Sequence, residues 1–177
     1  MMGTAHDYLE QMVKGWDLIG HSNPWQQYLL DNGQEYTSAE LEPSVYDLLM
    51  EPELRRRNRR HHCFRNAQRL ALSNHDFEYV EGVTFVANLP IPITHGWNTH
   101  DGVVVDMTMR YKHKGKYLPV LGEVPNDTLY YGMVIDKATV RRCVTSHDLY
   151  MSVLDDWVCS FPLVNGTEHR DDVKGIS

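Results

Sequence analysis

IPITHGWNTHDGVVVDMTMRY, residues 91–111, decides the fold. Two runs of apolar and β-branched residues, 91–98 and 103–111, flank Thr99-His100-Asp101-Gly102. Asp-Gly between strand-like runs is a strong hairpin signal, because both residues tolerate the left-handed backbone that a tight turn requires. The stretch therefore predicts an antiparallel pair. Side chains alternate with a period of two, so any even loop puts His95 and Asp106 on one face. With a two-residue turn Asp106 faces Trp97 and His95 is its diagonal neighbour. With a four-residue loop the two face each other directly. Only an odd loop or a bulge separates them.

Outward from the hairpin, FEYVEGVTFVANL (77–89) offers aromatic and β-branched residues for another strand, with a Gly82 interruption that suits a bulge. Tyr130 to Ile135 reads as one more strand. The first third is helical in pattern. His6 to Trp16 carries Leu9, Met12, Val13 and Trp16 at helical spacing. Ser22-Asn23-Pro24 starts a second helix, which the DNG at 31–33 ends. Thr37-Ser38-Ala39-Glu40 is a capping-box pattern leading into Leu41, Val45, Leu48 and Leu49, with Pro43 in its first turn. Pro52 breaks the chain before an arginine run. At the other end, Asp136 caps a long closing helix bearing Val140, Val144, Val153, Leu154, Trp157 and Val158. The expected fold class is α+β: a helical N-terminal part, a central helix that opens with a cysteine and packs on a small antiparallel sheet, and a closing C-terminal helix. Residues 1–165 are expected to form one domain, and 166–177 a loosely ordered tail.

That central helix begins in RHHCFRNAQRLAL, residues 59–71. Ala67, Leu70 and Ala71 follow Cys63 by four, seven and eight positions, so the cysteine faces the same side as the apolar stripe. Positive charge and a helix N-terminus both favour a thiolate. A nucleophilic cysteine also needs a base, itself held by a third group. His95 and Asp106 are the candidates, in the chain order Cys, His, Asp.

This order, with the cysteine at a helix N-terminus and His and Asp on adjacent strands, resembles the transglutaminase-like branch of the papain-fold cysteine enzymes. Cys63-Phe64-Arg65-Asn66-Ala67 followed by Tyr79-Val80-Glu81-Gly82 resembles the family habit of Cys, three residues, Ala, a helix, and an aromatic–Val–x–Gly strand. His95-Gly96-Trp97 is similar to the family's His-Ala-Trp, and Val104-Val105-Asp106-Met107-Thr108 to its Asp-bearing strand. The same Cys-x-x-Asn-Ala, Tyr-Val-Glu-Gly and His-x-Trp set resembles that of small uncharacterised bacterial and phage proteins. The likeness covers roughly residues 60 to 110. It implies that Cys63 is the nucleophile, His95 the general base and acid, and Asp106 the group that orients His95. The implied chemistry is acyl transfer: hydrolysis of an amide or thioester, or transfer to an amine, with a small-molecule, peptide or protein acyl substrate and no cofactor. The backbone N–H of Cys63 is the first oxyanion donor. No Gln stands shortly before Cys63 as it does in many papain-like enzymes, so Asn58, Asn66 or a residue of the N-terminal helices is the candidate second donor. Trp97 is read as packing beside the site, and Asn66 as either a local hydrogen bonder or a substrate contact.

Bulk properties set the outer limits. The chain has 177 residues, 42% apolar and 23% charged, with a net charge of −7. That charge argues against nucleic-acid binding by the whole surface. The local exception is LRRRNRRHH (54–62), whose Arg55, Arg56, Arg57, Arg59 and Arg60 are either a solvated face or contacts to phosphate or another acidic partner. No stretch has the roughly 20 apolar residues that cross a bilayer. The N-terminus lacks the pattern of a secretory signal, and three widely spaced cysteines do not make a disulfide framework, so a reducing cytosol is the expected location. Cys143 and Cys159 read as core fillers and Asp155-Asp156 as a solvated pair. Two other readings compete. Cys63 with His61 or His62, His95 and His100 would make a mixed N/S metal site, though no known spacing supports it. A non-catalytic binding or inhibitor protein of phage type would use the arginine run to hold an acidic or nucleic-acid partner. Nothing in the sequence names the substrate or the oligomeric state.

Overall fold

The computed structural model describes residues 3–21, 24–86, 89, 91–122, 128–147, 150–156 and 161–165. Cys159, Trp157, Val158 and the 166–177 segment lie outside them. Among the described residues the fold is mixed α and β, with seven helices and a six-stranded sheet whose paired strands are all antiparallel. None of those helices is long and apolar enough to cross a membrane.

The hairpin forms as the two-residue case. Strands β3 (Ile93–His100) and β4 (Val103–His113) are joined at Asp101 and Gly102, which have φ of 49° and 78°. Asn98, Thr99 and His100 pair with Val105, Val104 and Val103. A second two-residue turn, Lys114-Gly115, has φ of 47° and 78° and leads into β5 (Lys116–Leu121). The apolar pattern alone does not point to this second hairpin. Strands β2 (Glu78–Phe85) and β6 (Leu129–Ile135) complete the centre, and β1 (Gln34–Tyr36) pairs with β6 at the edge, giving the order β1-β6-β2-β3-β4-β5. Gly82 carries no bulge. The register of β2 runs unbroken past it on both sides, and a Cβ there would meet the Tyr131 carbonyl oxygen at 2.2 Å, so the glycine answers close backbone approach. Just beyond β1, Thr37 accepts a hydrogen bond from the Val104 N–H and the Ala39 N–H donates to Gly122. This segment ties one edge of the sheet to the other, and the sheet curls. Tyr36, Val80, Trp97, Val104 and Tyr130 cluster inside the curl.

Helices cover the outer face. α1 (Ala5–Leu18) starts on a Thr4–Asp7 capping box and buries Ala5, Leu9 and Val13 with Trp25 and Leu29 of α2 (Pro24–Asn32). Thr37-Ser38-Ala39-Glu40 does not cap a helix. Proline forbids helical backbone at the residue before it, so α3 (Pro43–Met50) begins only at Pro43, after an extended Glu42. Pro52 opens α4 (Pro52–Arg57) rather than simply breaking the chain. The central helix, α5 (Cys63–Ser73), packs Ala67 and Ala71 against Tyr79 and Ile135, beside Val140 and Cys143 of α6 (Lys137–His147). Asp136 caps α6 through the Thr139 N–H and hydroxyl, but the helix stops at His147. Val153 and Leu154 are buried from a turn instead, and Asp156, expected in solvent, is buried too. A short α7 (Pro162–Asn165) follows.

Candidate active site

One close glycine approach and a split in the sheet build the site. The β3–β4 ladder ends at Asn98 and Val105, and the register of β4 against β5 shifts between Asp106 and Arg110. The Asp106 carboxylate explains the irregularity. Its Oδ1 accepts from the N–H groups of Thr108 and Met109, at 2.9 and 2.8 Å, folding the strand back on itself. The first turn of α5 sits where the two strands part. Gly96 permits this approach, since a Cβ there would stand 3.0 Å from the Phe64 ring and 3.3 Å from the Phe64 Cα. Asn66 ties the same turn to β4 through a 2.7 Å hydrogen bond to the Thr108 hydroxyl.

The three predicted residues meet there. His95 Nε2 lies 2.6 Å from Asp106 Oδ2, both side chains being buried, and the Cys63 thiol is near enough to the same ring that each shifts the other's ionisation. Because Nε2 is taken by the carboxylate, the ring nitrogen left for sulfur is Nδ1. Asp106 also accepts from the Tyr130 hydroxyl at 2.9 Å. Trp97 stacks beside the imidazole with ring centroids 6.2 Å apart.

Electrostatics follow from this geometry. Burial works against charge on Cys63, but the His95 contact and the N–H groups of Gly96 and Phe64 outweigh it and bring the thiol below its ordinary value. Burial alone would neutralise His95, yet the Asp106 carboxylate and the thiol push it up to about 10. Asp106 is held below the usual carboxylate range against its own burial, by His95 and the two strand amides. The shifts run in the direction of a thiolate–imidazolium pair, with the thiol lowered and the ring raised.

The other sequence candidates separate. Asn66 is a bracket: it donates to the Arg59 carbonyl and Thr108 and accepts from the Arg59 N–H, which leaves it no donor for an oxyanion or substrate. Asn58 faces a different cleft, beside Leu54 and Arg69, and not the one at Cys63. Trp97 is buried packing, as read from the sequence. The arginine run is no single patch. Arg56 and Arg57 pair with Glu53 on α4, and Arg59 is held through its backbone by Asn66. Arg60 alone of the five lines the Cys63 cleft. Among the described residues no group of three or more His, Cys, Asp or Glu is arranged to hold a metal ion. His100 lies instead beside Phe77 and Asp101.

Cys63 and His95 open into a cleft of about 620 Å³. Among the described residues its walls come from the Arg60–His61 turn, Ile93 and Thr94 of β3, and Thr108, Met109 and Arg110 of β4. Sequence reasoning missed Tyr130, whose role depends on sheet curvature, and a buried carboxylate, Glu81. Glu81 accepts from Tyr79, from the Ser152 hydroxyl, and from the N–H groups of Val153 and Leu154 at 2.8 and 3.0 Å. Both lie in strands already identified, but a strand pattern carries no signal for a hydroxyl or carboxylate partner elsewhere in the chain. No family model, curated protein or solved structure matches the chain.

Proposed function

We propose that this chain is a cysteine-dependent acyl-transfer enzyme of the transglutaminase-like, papain-fold kind. The observation that carries the reading is the buried His95–Asp106 pair, 2.6 Å apart, beside the Cys63 thiol in one cleft. In the first half-reaction the thiolate attacks an amide or thioester carbonyl. The oxyanion forms near the free N–H of Cys63 at the helix start, where the aligned dipoles favour negative charge. His95 gives its proton to the departing amine or thiol, leaving an acyl–Cys63 thioester. A water or amine then attacks that thioester, His95 takes the incoming proton, and the S–C bond breaks to release product. Asp106, locked by Tyr130 and its own strand amides, keeps the ring in one orientation throughout. A free nucleophilic thiol of this kind suits a reducing compartment such as the cytosol.

The test is electrophile labelling of the full chain, read by mass spectrometry at each cysteine. Cys63 should react with iodoacetamide at neutral pH far faster than Cys143 or Cys159, and an activity-based thioester probe should leave an acyl adduct on Cys63. Equal, slow labelling of all three would instead indicate a non-catalytic binding protein on the same fold.

A further inference from the structure

The cleft beside Cys63 has a charge opposite to that of the protein. The chain carries a net −7, yet no Asp or Glu occurs among the described lining residues, and two arginines do. Arg60 and Arg110 make no side-chain hydrogen bond or ion pair among the described residues, whereas their neighbours Arg56 and Arg57 are satisfied by Glu53. The two guanidiniums come from different elements, the 60–61 turn and β4. Arg60 sits at the tip of a turn whose base is clamped by the reciprocal Arg59–Asn66 hydrogen bonds, at 2.9 and 2.8 Å. Arg110 follows the Asp106 bulge at the point where β4 regains register with β5. Between Arg60 and the helix, His61 is held at φ 62°, a backbone state that costs a non-glycine residue about 1 kcal/mol or more. The chain keeps that strain at the cleft mouth. Ile93 and Met109 supply apolar wall alongside the two cations.

We propose that this cleft selects acyl donors that carry an anionic group, a carboxylate or a phosphate, held by Arg60 and Arg110 while the carbonyl meets Cys63. Guanidinium forks match both anions, and a positive cleft in an acidic protein concentrates them. The inference rests on the acyl-transfer reading and names its substrate class. In the selected step the sulfur's electron pair forms the S–C bond to the donor carbonyl, and the leaving thiol departs with the proton from His95.

Iodoacetate and iodoacetamide form a matched probe pair, since each alkylates sulfur with loss of iodide and only one is an anion. On the full chain at low salt, the ratio of their rates at Cys63 should exceed that of glutathione by on the order of ten-fold. The Arg60→Gln/Arg110→Gln double variant should lose most of that excess, and Arg141→Gln on α6 should keep it. A ratio unchanged in the double variant, or lowered equally in Arg141→Gln, overturns the proposal. Hexanoyl and adipoyl thioesters of one leaving thiol give the substrate arm. Cys63 should acylate faster from adipoyl, the preference should vanish in the double variant, and equal acylation in the unmodified chain overturns it. Protection of Cys63 from iodoacetate by inorganic phosphate or by acetate identifies which anion fits better, and protection by neither contradicts the site. Cys63 slow toward both haloacetates, with no adduct from either thioester, overturns the acyl-transfer reading itself.

Discussion

His95 gives Nε2 to Asp106, which leaves Nδ1 as the nitrogen for the neighbouring Cys63 thiol. Removing the ring therefore strips the buried thiol of its counterion while leaving its desolvation in place. His95→Ala should slow iodoacetamide labelling of Cys63 at neutral pH by on the order of a hundred-fold, with an intact fold by circular dichroism. Asp106→Asn removes the charge that sustains the imidazolium and should slow labelling by about ten-fold or more. Tyr130→Phe withdraws one of four donors from the Asp106 carboxylate and should cost about 1 kcal/mol in a denaturant titration. The His95–Asp106 contact was legible because alternation along the 91–111 hairpin puts the two on one face with any even loop. Tyr130 was not, because β6 is separated from β4 by two strands and the hydroxyl crosses the inside of the curl.

At the scale of elements, local signals carried the most. Asp101-Gly102, the Asp136 cap and the Pro24 and DNG boundaries all correspond to steric or hydrogen-bonding needs within a few residues. Some failures depended on distant partners and others on local chemistry that an apolar pattern does not carry. Val153 and Leu154 continue a helical apolar spacing, yet they are buried because Glu81 captures the N–H groups of that turn. The β4–β5 hairpin was hidden by the polar run His113-Lys114-Gly115-Lys116, and the Asp106 bulge by a carboxylate that folds back on its own strand. The seating of α5 on β3 is testable. Gly96→Ala places a methyl against the Phe64 backbone, which gives way less easily than a flexible side-chain end. The helix start must shift, so labelling of Cys63 should fall by about ten-fold and stability by about 1–3 kcal/mol.

At the scale of the whole molecule, Glu81 joins three parts: the central strand β2, the 151–155 turn, and α5 through Tyr79 and Gln68. Only a carboxylate accepts all four of its donors, so Glu81→Gln turns an amide N–H against them and should destabilise the protein by about 2–3 kcal/mol, read as a lowered denaturation midpoint. Stability also depends on pH through the site. His95 at about 10, against 6.5 when unfolded, contributes stability that is complete below 6.5 and lost as pH rises toward 10. Cys63 acts oppositely: its depressed value contributes stability above 9.0 that disappears as pH falls through the folded value. Cys63→Ala removes that opposing contribution and also the thiol's own upward push on His95, so its Tm should decline as pH rises above 6.5 with the decline complete below 10, and adding Asp106→Asn should flatten it.

Thiolate ultraviolet absorbance, recorded across a pH titration and compared with Cys63→Ser, reads the ion pair itself. A thiolate that forms below pH 9.0 and is absent from Cys63→Ser is the predicted result. A difference that first appears near pH 9.0, the ordinary value for a cysteine thiol, would contradict the account.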